Sequence, residues 1–206
     1  MTVDLDKPTG LPQADVTGRH NYPKLIELFN ACFAERDYRD GSNTRLICGQ
    51  GEPIYYPAGM PEEDSGHDYH RIIFAHGFFA SALHELAHWC VAGQERRCLV
   101  DFGYWYIPDG RTAAQQQAFE RVEGRTQAIE WLLASACDYR FCVSVDNLTG
   151  EAGDSQGFKA LVYQYLQGYL QAGVNERTQC LINAFSTHFG VKEPMAAERF
   201  QLDQLS

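Results

Sequence analysis

The chain has 206 residues, 45% of them hydrophobic, and a formal net charge of −10 with an isoelectric point near 5.1. That is enough apolar sequence for one domain with a real core, and too little length for two ordinary domains. The acidity and the lack of any Lys/Arg-rich run argue against a nucleic-acid partner and suit a cationic substrate.

Residues 1–20 carry Asp4, Asp6, Lys7, Pro8, Gly10, Pro12 and Asp15, with no apolar core of the kind a signal peptide needs. They read as a disordered tail ahead of a single catalytic domain, 21–206. Leu25, Leu28, Phe29, Cys32 and Phe33 follow the spacing of an amphipathic helix that ends near Asp37. Short strands are expected at 44–48 and 54–56, then a loop at 57–68 rich in Pro, Gly and acid, with His67 and His70 at the surface, and a further strand at 71–74. Nowhere does the chain approach the roughly 18 apolar residues of a membrane span, so no membrane partner is expected. Seven cysteines, odd in number and without a Cys-x-x-Cys pair, read as reduced thiols of a cytoplasmic protein.

Gly77 marks the passage into an apolar segment, 78–91, that reads as a buried helix closed by Gly93. Within it stands His84-Glu85-Leu86-Ala87-His88. Positions i and i+4 of a helix lie about 40° apart around the axis and roughly 6 Å apart along it. Both imidazoles can therefore converge on one cation, and the intervening Glu85 is close enough to touch a metal-bound water. Two histidines and a glutamate in such surroundings need partners, either a metal or hydrogen bonds within the core.

Downstream, 101–107 is aromatic and extended in character, and Pro108-Asp109-Gly110 has turn chemistry. A second long helix is expected at 112–137, with Phe119, Val122, Ile129, Leu132 and Leu133 on its buried stripe and Gly124 as a weak point. A strand at 139–145, a loop at 146–156 and helices at 158–170 and 179–189 complete the reading. The fold class is α+β: a single, mostly helical domain with a small sheet, in which a zincin-like helix pair presents the metal site.

A catalytic metal held by two histidines usually has a third protein ligand and keeps a position open. The second long helix supplies Glu120 and Glu123 beside Phe119 and Val122. Glu123 is the first choice, because Gln127 stands at i+4 from it, where its amide can orient a liganding carboxylate; Glu120 is the alternative. His76, eight residues before His84, can face the same pocket if the helix begins early enough. Tyr104, Trp105 and Tyr106 are candidates for the walls of a substrate channel, with Asp101 in support. His188 has no assigned role. Two imidazoles and a carboxylate with open positions suit non-haem Fe(II). The helical His-Glu-x-x-His pattern, however, more often holds zinc in hydrolases, where the internal glutamate is the general base. The residues alone therefore leave a zinc metallopeptidase, with Glu85 as base, as an open alternative.

The blocks Arg71-Ile-Ile-Phe-Ala-His-Gly through Ala82-Leu-His-Glu-Leu-Ala-His-Trp, Asp101-Phe-Gly-Tyr-Trp-Tyr with Pro108-Asp-Gly-Arg, and Phe119-Glu-Arg-Val-Glu with Gln127-Ala, in this order and spacing, resemble the elongation factor P hydroxylases. The likeness extends from about Tyr22 to Phe200. It implies a bacterial cytoplasmic oxidoreductase of the monooxygenase type that hydroxylates the β-lysyl-modified lysine of elongation factor P, a post-translational modification of a translation factor. It also implies a two-histidine, one-carboxylate centre formed by His84, His88 and a glutamate of the Glu120/Glu123 pair, holding a divalent metal, Fe(II) in function, with Zn a possible occupant of purified protein. Glu85 would then handle protons or pair with the substrate's ammonium groups.

Overall fold

The computed structural model describes residues 18–34, 43–60, 66–103, 113–144 and 155–205. Asn21 opens helix α1 (Tyr22–Phe33) by accepting the Lys24 N–H at 3.1 Å, and a proline stands in the first turn, where a missing N–H leaves no bond unmade. Leu25, Phe29 and Phe33 form its buried stripe. Three strands follow, β1 (Thr44–Gly49), β2 (Ile54–Tyr56) and β3 (His70–Ala75), in the spatial order β1-β3-β2. β1 runs parallel to β3 with Leu46 opposite Ile72, and β2 runs antiparallel to it with Tyr55 opposite Ile72. Asn30 of α1 accepts the Leu46 N–H at 3.0 Å, so the helix is fastened to β1.

A tight turn leads from β3 into α2 (Phe79–Val91), the helix that carries the His-Glu-x-x-His segment. His76 and Gly77 both have positive φ here, and a Cβ on Gly77 would come within 2.8 Å of the Tyr22 ring, so both backbone and space require glycine. Leu83, Leu86, Ala87, Trp89 and Cys90 are all essentially inaccessible, because α2 packs against β3, α1 and two later helices. Trp89 meets Phe29 and Phe33 of α1 edge-on, with centroids 5.2 and 4.8 Å away. The expected stop at Gly93 is not used. Ala92 turns extended, and the last carbonyls are satisfied by side chains from elsewhere. Arg177 donates to Cys90 O and Ala92 O at 3.1 and 2.8 Å, Asn175 to Cys90 O at 2.8 Å, and Arg97 to Ala92 O. Cations at a helix C-terminus also complement its dipole.

Helix α3 (Ala113–Ala136) packs on α2, α4 (Ser155–Ala172) and α5 (Glu176–Phe189). Every residue from Thr126 to Cys137 is buried, because this half of α3 is surrounded by helices. Gly124 explains part of the fit: a Cβ there would meet Leu161 at 3.2 Å and Tyr165 at 3.3 Å, so the missing side chain lets α4 approach. The architecture is α+β, mostly helical with a small three-stranded sheet, as expected.

Among the described residues, two stretches expected to be extended form no strand. Val100–Gly103 is a 3-10 turn in which Asp101 and Phe102 have φ of 47° and 57°, not the start of an extended run. Residues 139–144 are irregular, because the Gln127 amide stands in for a neighbouring strand: Nε2 donates to Ser144 O at 2.7 Å and Oε1 accepts the Ser144 N–H at 3.2 Å. Gln127 is thereby occupied away from Glu123 and does not orient that carboxylate. The last two helices begin a turn or less earlier than expected, α5 behind its Asn175 cap. His67 and His70, expected at the surface, are half-buried; the His67 ring packs on Tyr69, and His70 meets the Tyr55 hydroxyl at 2.7 Å.

Of the tail, only 18–20 falls within the described residues, and this end is held: Arg19 pairs with Asp138 at 3.0 Å and the His20 ring packs among Phe79, Tyr139 and Phe189. Among the described residues no helix is long and apolar enough to cross a membrane. None of the seven cysteines, all among the described residues, forms a disulfide.

Candidate metal centre

α2 and α3 cross so that three donor groups meet between them. His84 and His88, one turn apart on α2, turn their Nε2 atoms to within 3.0 Å of each other. The Glu123 carboxylate of α3 faces both, with Oε1 3.4 Å from His88 Nε2 and Oε2 3.8 Å from His84 Nε2. One donor atom from each of the three residues lies within 4.8 Å of the others. Two nitrogens bound at about 2.1 Å to one cation are separated by about 3.0–3.4 Å for angles between octahedral and tetrahedral, so the imidazoles are spaced for a shared metal. The donor set, two imidazoles and one carboxylate, suits Fe(II) or Zn(II) and leaves further positions for other ligands. His84 keeps 25% of its side chain exposed, against 12% for Glu123, so the centre opens on the His84 side.

The far nitrogens of the two rings are also engaged. His84 Nδ1 is 2.8 Å from Glu130 Oε2, and His88 Nδ1 is 3.4 Å from Thr126 Oγ1. Burial opposes charge on both rings. At His84 the Glu130 carboxylate, reinforced by Glu123 and Glu85, overcomes it and pushes the pKa up to about 10. His88, buried and facing the His84 charge, is held well below the usual histidine range. The surroundings therefore favour charge on His84 and disfavour it on His88.

Glu85 lies beside the centre, and burial pushes its carboxyl up to about 7; the His84 charge opposes the rise, while Asp101, Glu123 and Glu130 add to it. Asp101 is therefore a neighbour of the site. It is fixed by the Tyr55 N–H, which donates to Oδ1 at 2.8 Å, and burial raises its carboxyl against that bond. The adjacent Phe102 ring stacks on Tyr55 with centroids 4.2 Å apart and stands parallel to His88 at 6.4 Å. Asp101 and Phe102, two consecutive non-glycine residues with positive φ, mark local backbone strain of the kind that accompanies functional sites.

The chain's expected site residues fall as follows. His84, His88 and Glu123 come together; Glu85 and Asp101 adjoin them. Glu120 is half-buried and accepts from Gln116 at 3.0 Å, outside the donor group. His76 is exposed on the turn before α2, and its ring neighbours Phe78 at 6.2 Å. Tyr104, Trp105 and Tyr106 lie outside the described residues. Sequence reasoning missed Glu130 and Thr126. The available signal was a carboxylate in the apolar run Ala128 to Leu133, on the same helical face as Glu123 seven residues earlier.

A family profile described as elongation factor P hydroxylase matches residues 28–200. The chain is 44% identical over 183 residues to the elongation factor P lysine hydroxylase of Haemophilus influenzae strain Rd, covering 89% of this chain and 97% of the relative. The chain belongs to the elongation factor P hydroxylase family.

Proposed function

We propose that this protein is a cytoplasmic, metal-dependent hydroxylase that acts on the β-lysyl-modified lysine of elongation factor P. The reading rests on one observation above all: a chain of this family places His84, His88 and Glu123 where their donor atoms converge. These three residues would hold a divalent metal, Fe(II) in the active enzyme. Bound there, the metal would supply O2 chemistry, in which one oxygen atom enters a substrate C–H bond and the other leaves as water with two electrons and two protons from an external donor. α2 and α3 together present the site in the manner of zincins.

The chain's own residues do the rest. Glu85 and Asp101 place two carboxylates beside the centre, and a β-lysyl-lysine arm brings ammonium groups for them to face. Glu85, with its pKa near 7, is also suited to hold or release a proton during turnover. Phe102 and Tyr55 form an aromatic floor under His88. Tyr104, Trp105 and Tyr106 follow Phe102 and Gly103 in the chain, and we assign them to the walls of the arm's channel, with His76 at its outer rim. Cation–π contact with such walls contributes about 0.5–2 kcal/mol.

A zinc peptidase is the second reading, favoured by Glu85 standing where a general base for a metal-bound water would stand. The strand that leads into α2 gives it no support. Arg71 to Phe74 would have offered a sheet edge for a peptide, but β3 is the middle strand, and its residues 71–73 are paired on both sides. The two readings separate on a single pair of assays: Fe(II)-loaded protein with a reductant should oxygenate β-lysylated elongation factor P, and zinc-loaded protein should cut no peptide. Zinc-loaded protein that cleaves peptides in a Glu85-dependent way would reverse the assignment.

A further inference from the structure

We propose that Glu130 and Thr126 are positioning residues that lock the two metal-binding imidazoles from behind, so that α3 contributes three groups to the centre and not one. This rests on the reading that His84 and His88 bind metal through Nε2. Residues 123, 126 and 130 are spaced i, i+3 and i+7 and share one face of α3, whereas Gln127 lies to the side and binds Ser144. Glu130 is 9% exposed, between Ile129 at 2% and Trp131 at 5%. A carboxylate in such a place is costly unless it is bonded to something that needs it there. Its partner is His84 Nδ1 at 2.8 Å.

The consequence is a choice of tautomer. With Nδ1–H donating to Glu130, the neutral ring of His84 carries its lone pair on Nε2, the atom that faces His88 and Glu123. A carboxylate partner also makes the ring a stronger electron donor. Thr126, fully buried, does the same job more weakly for His88, through a neutral hydroxyl at the longer distance of 3.4 Å. The two histidines are therefore unequal: His84 is the strongly donating, rigidly held ligand, and His88 the softer one.

The test uses the full chain loaded with Co(II), whose visible bands report ligand strength, with affinity measured by chelator competition. Glu130→Leu should weaken Co(II) binding about 10–100-fold and shift the bands. Glu130→Gln, whose amide oxygen still accepts from Nδ1–H, should recover part of both, and Thr126→Val should cost less than Glu130→Leu. A merely structural glutamate would lower thermal stability but leave the bands of the loaded protein in place. Should Glu130→Leu fail to fold, long-range 1H–15N correlation on the zinc-loaded wild type decides: a proton on His84 Nδ1 and metal on Nε2 is required. Wild-type bands and affinity in both Glu130 variants, or metal on Nδ1, would overturn the inference. His84→Ala is the control that separates it from the underlying reading: Co(II) retained with wild-type affinity in His84→Ala would overturn the ligand assignment itself.

Discussion

His84, His88 and Glu123 were legible in the sequence because helical spacing is a hard constraint: two imidazoles four residues apart share a face whatever the rest of the fold does. Glu123 over Glu120 was the harder choice, and the donor geometry favours Glu123. Single substitution of His84, His88 or Glu123 by Ala should weaken metal binding by more than about 100-fold while the far-UV circular dichroism persists, and Glu120→Ala should retain stoichiometric metal by elemental analysis. Metal kept in Glu123→Ala and lost in Glu120→Ala would mean that the face of α3 is misassigned. The amide of Gln127 binds Ser144 and not the Glu123 carboxylate that its i+4 spacing suggests, since nothing local in sequence places Ser144 opposite it. Asp101 was read as a member of an extended aromatic run. Its positive φ is imposed by tertiary contacts, chiefly the Tyr55 N–H bond and the Phe102–Tyr55 stack, that no local pattern encodes.

At the level of elements, the three strands and five α-helices of the described residues are legible in the sequence pattern, and the differences sit where side chains replace backbone partners. The C-terminal end of α2 is closed by Arg177, Asn175 and Arg97 rather than by Gly93, and the 139–144 segment is held by Gln127 rather than by a strand. Gly124 shows the same lesson in reverse. By helix propensity alone Gly124→Ala should stabilise α3 by up to about 1 kcal/mol. The 3.2 Å approach to Leu161 Cγ and Cδ2 removes that gain, so thermal unfolding should show Gly124→Ala near neutral. Gly124→Leu should destabilise by about 1–3 kcal/mol through forced separation of α3 and α4. A clear rise in melting temperature for Gly124→Leu would contradict the packing described.

For the whole molecule, the link between sheet and site runs through Tyr55 and His70. Tyr55 is fully buried; its hydroxyl donates to Arg97 O at 2.8 Å and meets His70 Nδ1 at 2.7 Å, while its ring supports Phe102. Burial, with the Arg97 charge, lowers the His70 pKa below its ordinary value near 6.5. The unfolded chain then binds a proton at His70 that the folded chain refuses, so stability rises with pH across that interval. His70 contributes fully above about pH 6.5 and loses its contribution as pH falls toward the folded pKa. His70→Phe, which keeps the stack on Tyr55, should show a melting temperature less dependent on pH between about 7 and 5.5 than the wild type. Equal slopes in the two proteins would show that His70 is not the titrating group.

On the proposed function, the convergence of His84, His88 and Glu123 serves oxygen insertion into the modified lysine of elongation factor P. Intact-mass and peptide-level spectrometry of β-lysylated elongation factor P, incubated with Fe(II)-loaded protein, a reductant and 18O2, decides whether it does. The expected result is a gain of one 18O atom at the modified lysine, absent with His84→Ala. An unchanged mass with fully metal-loaded protein, an oxygen drawn from water, or cleavage of the factor would contradict it.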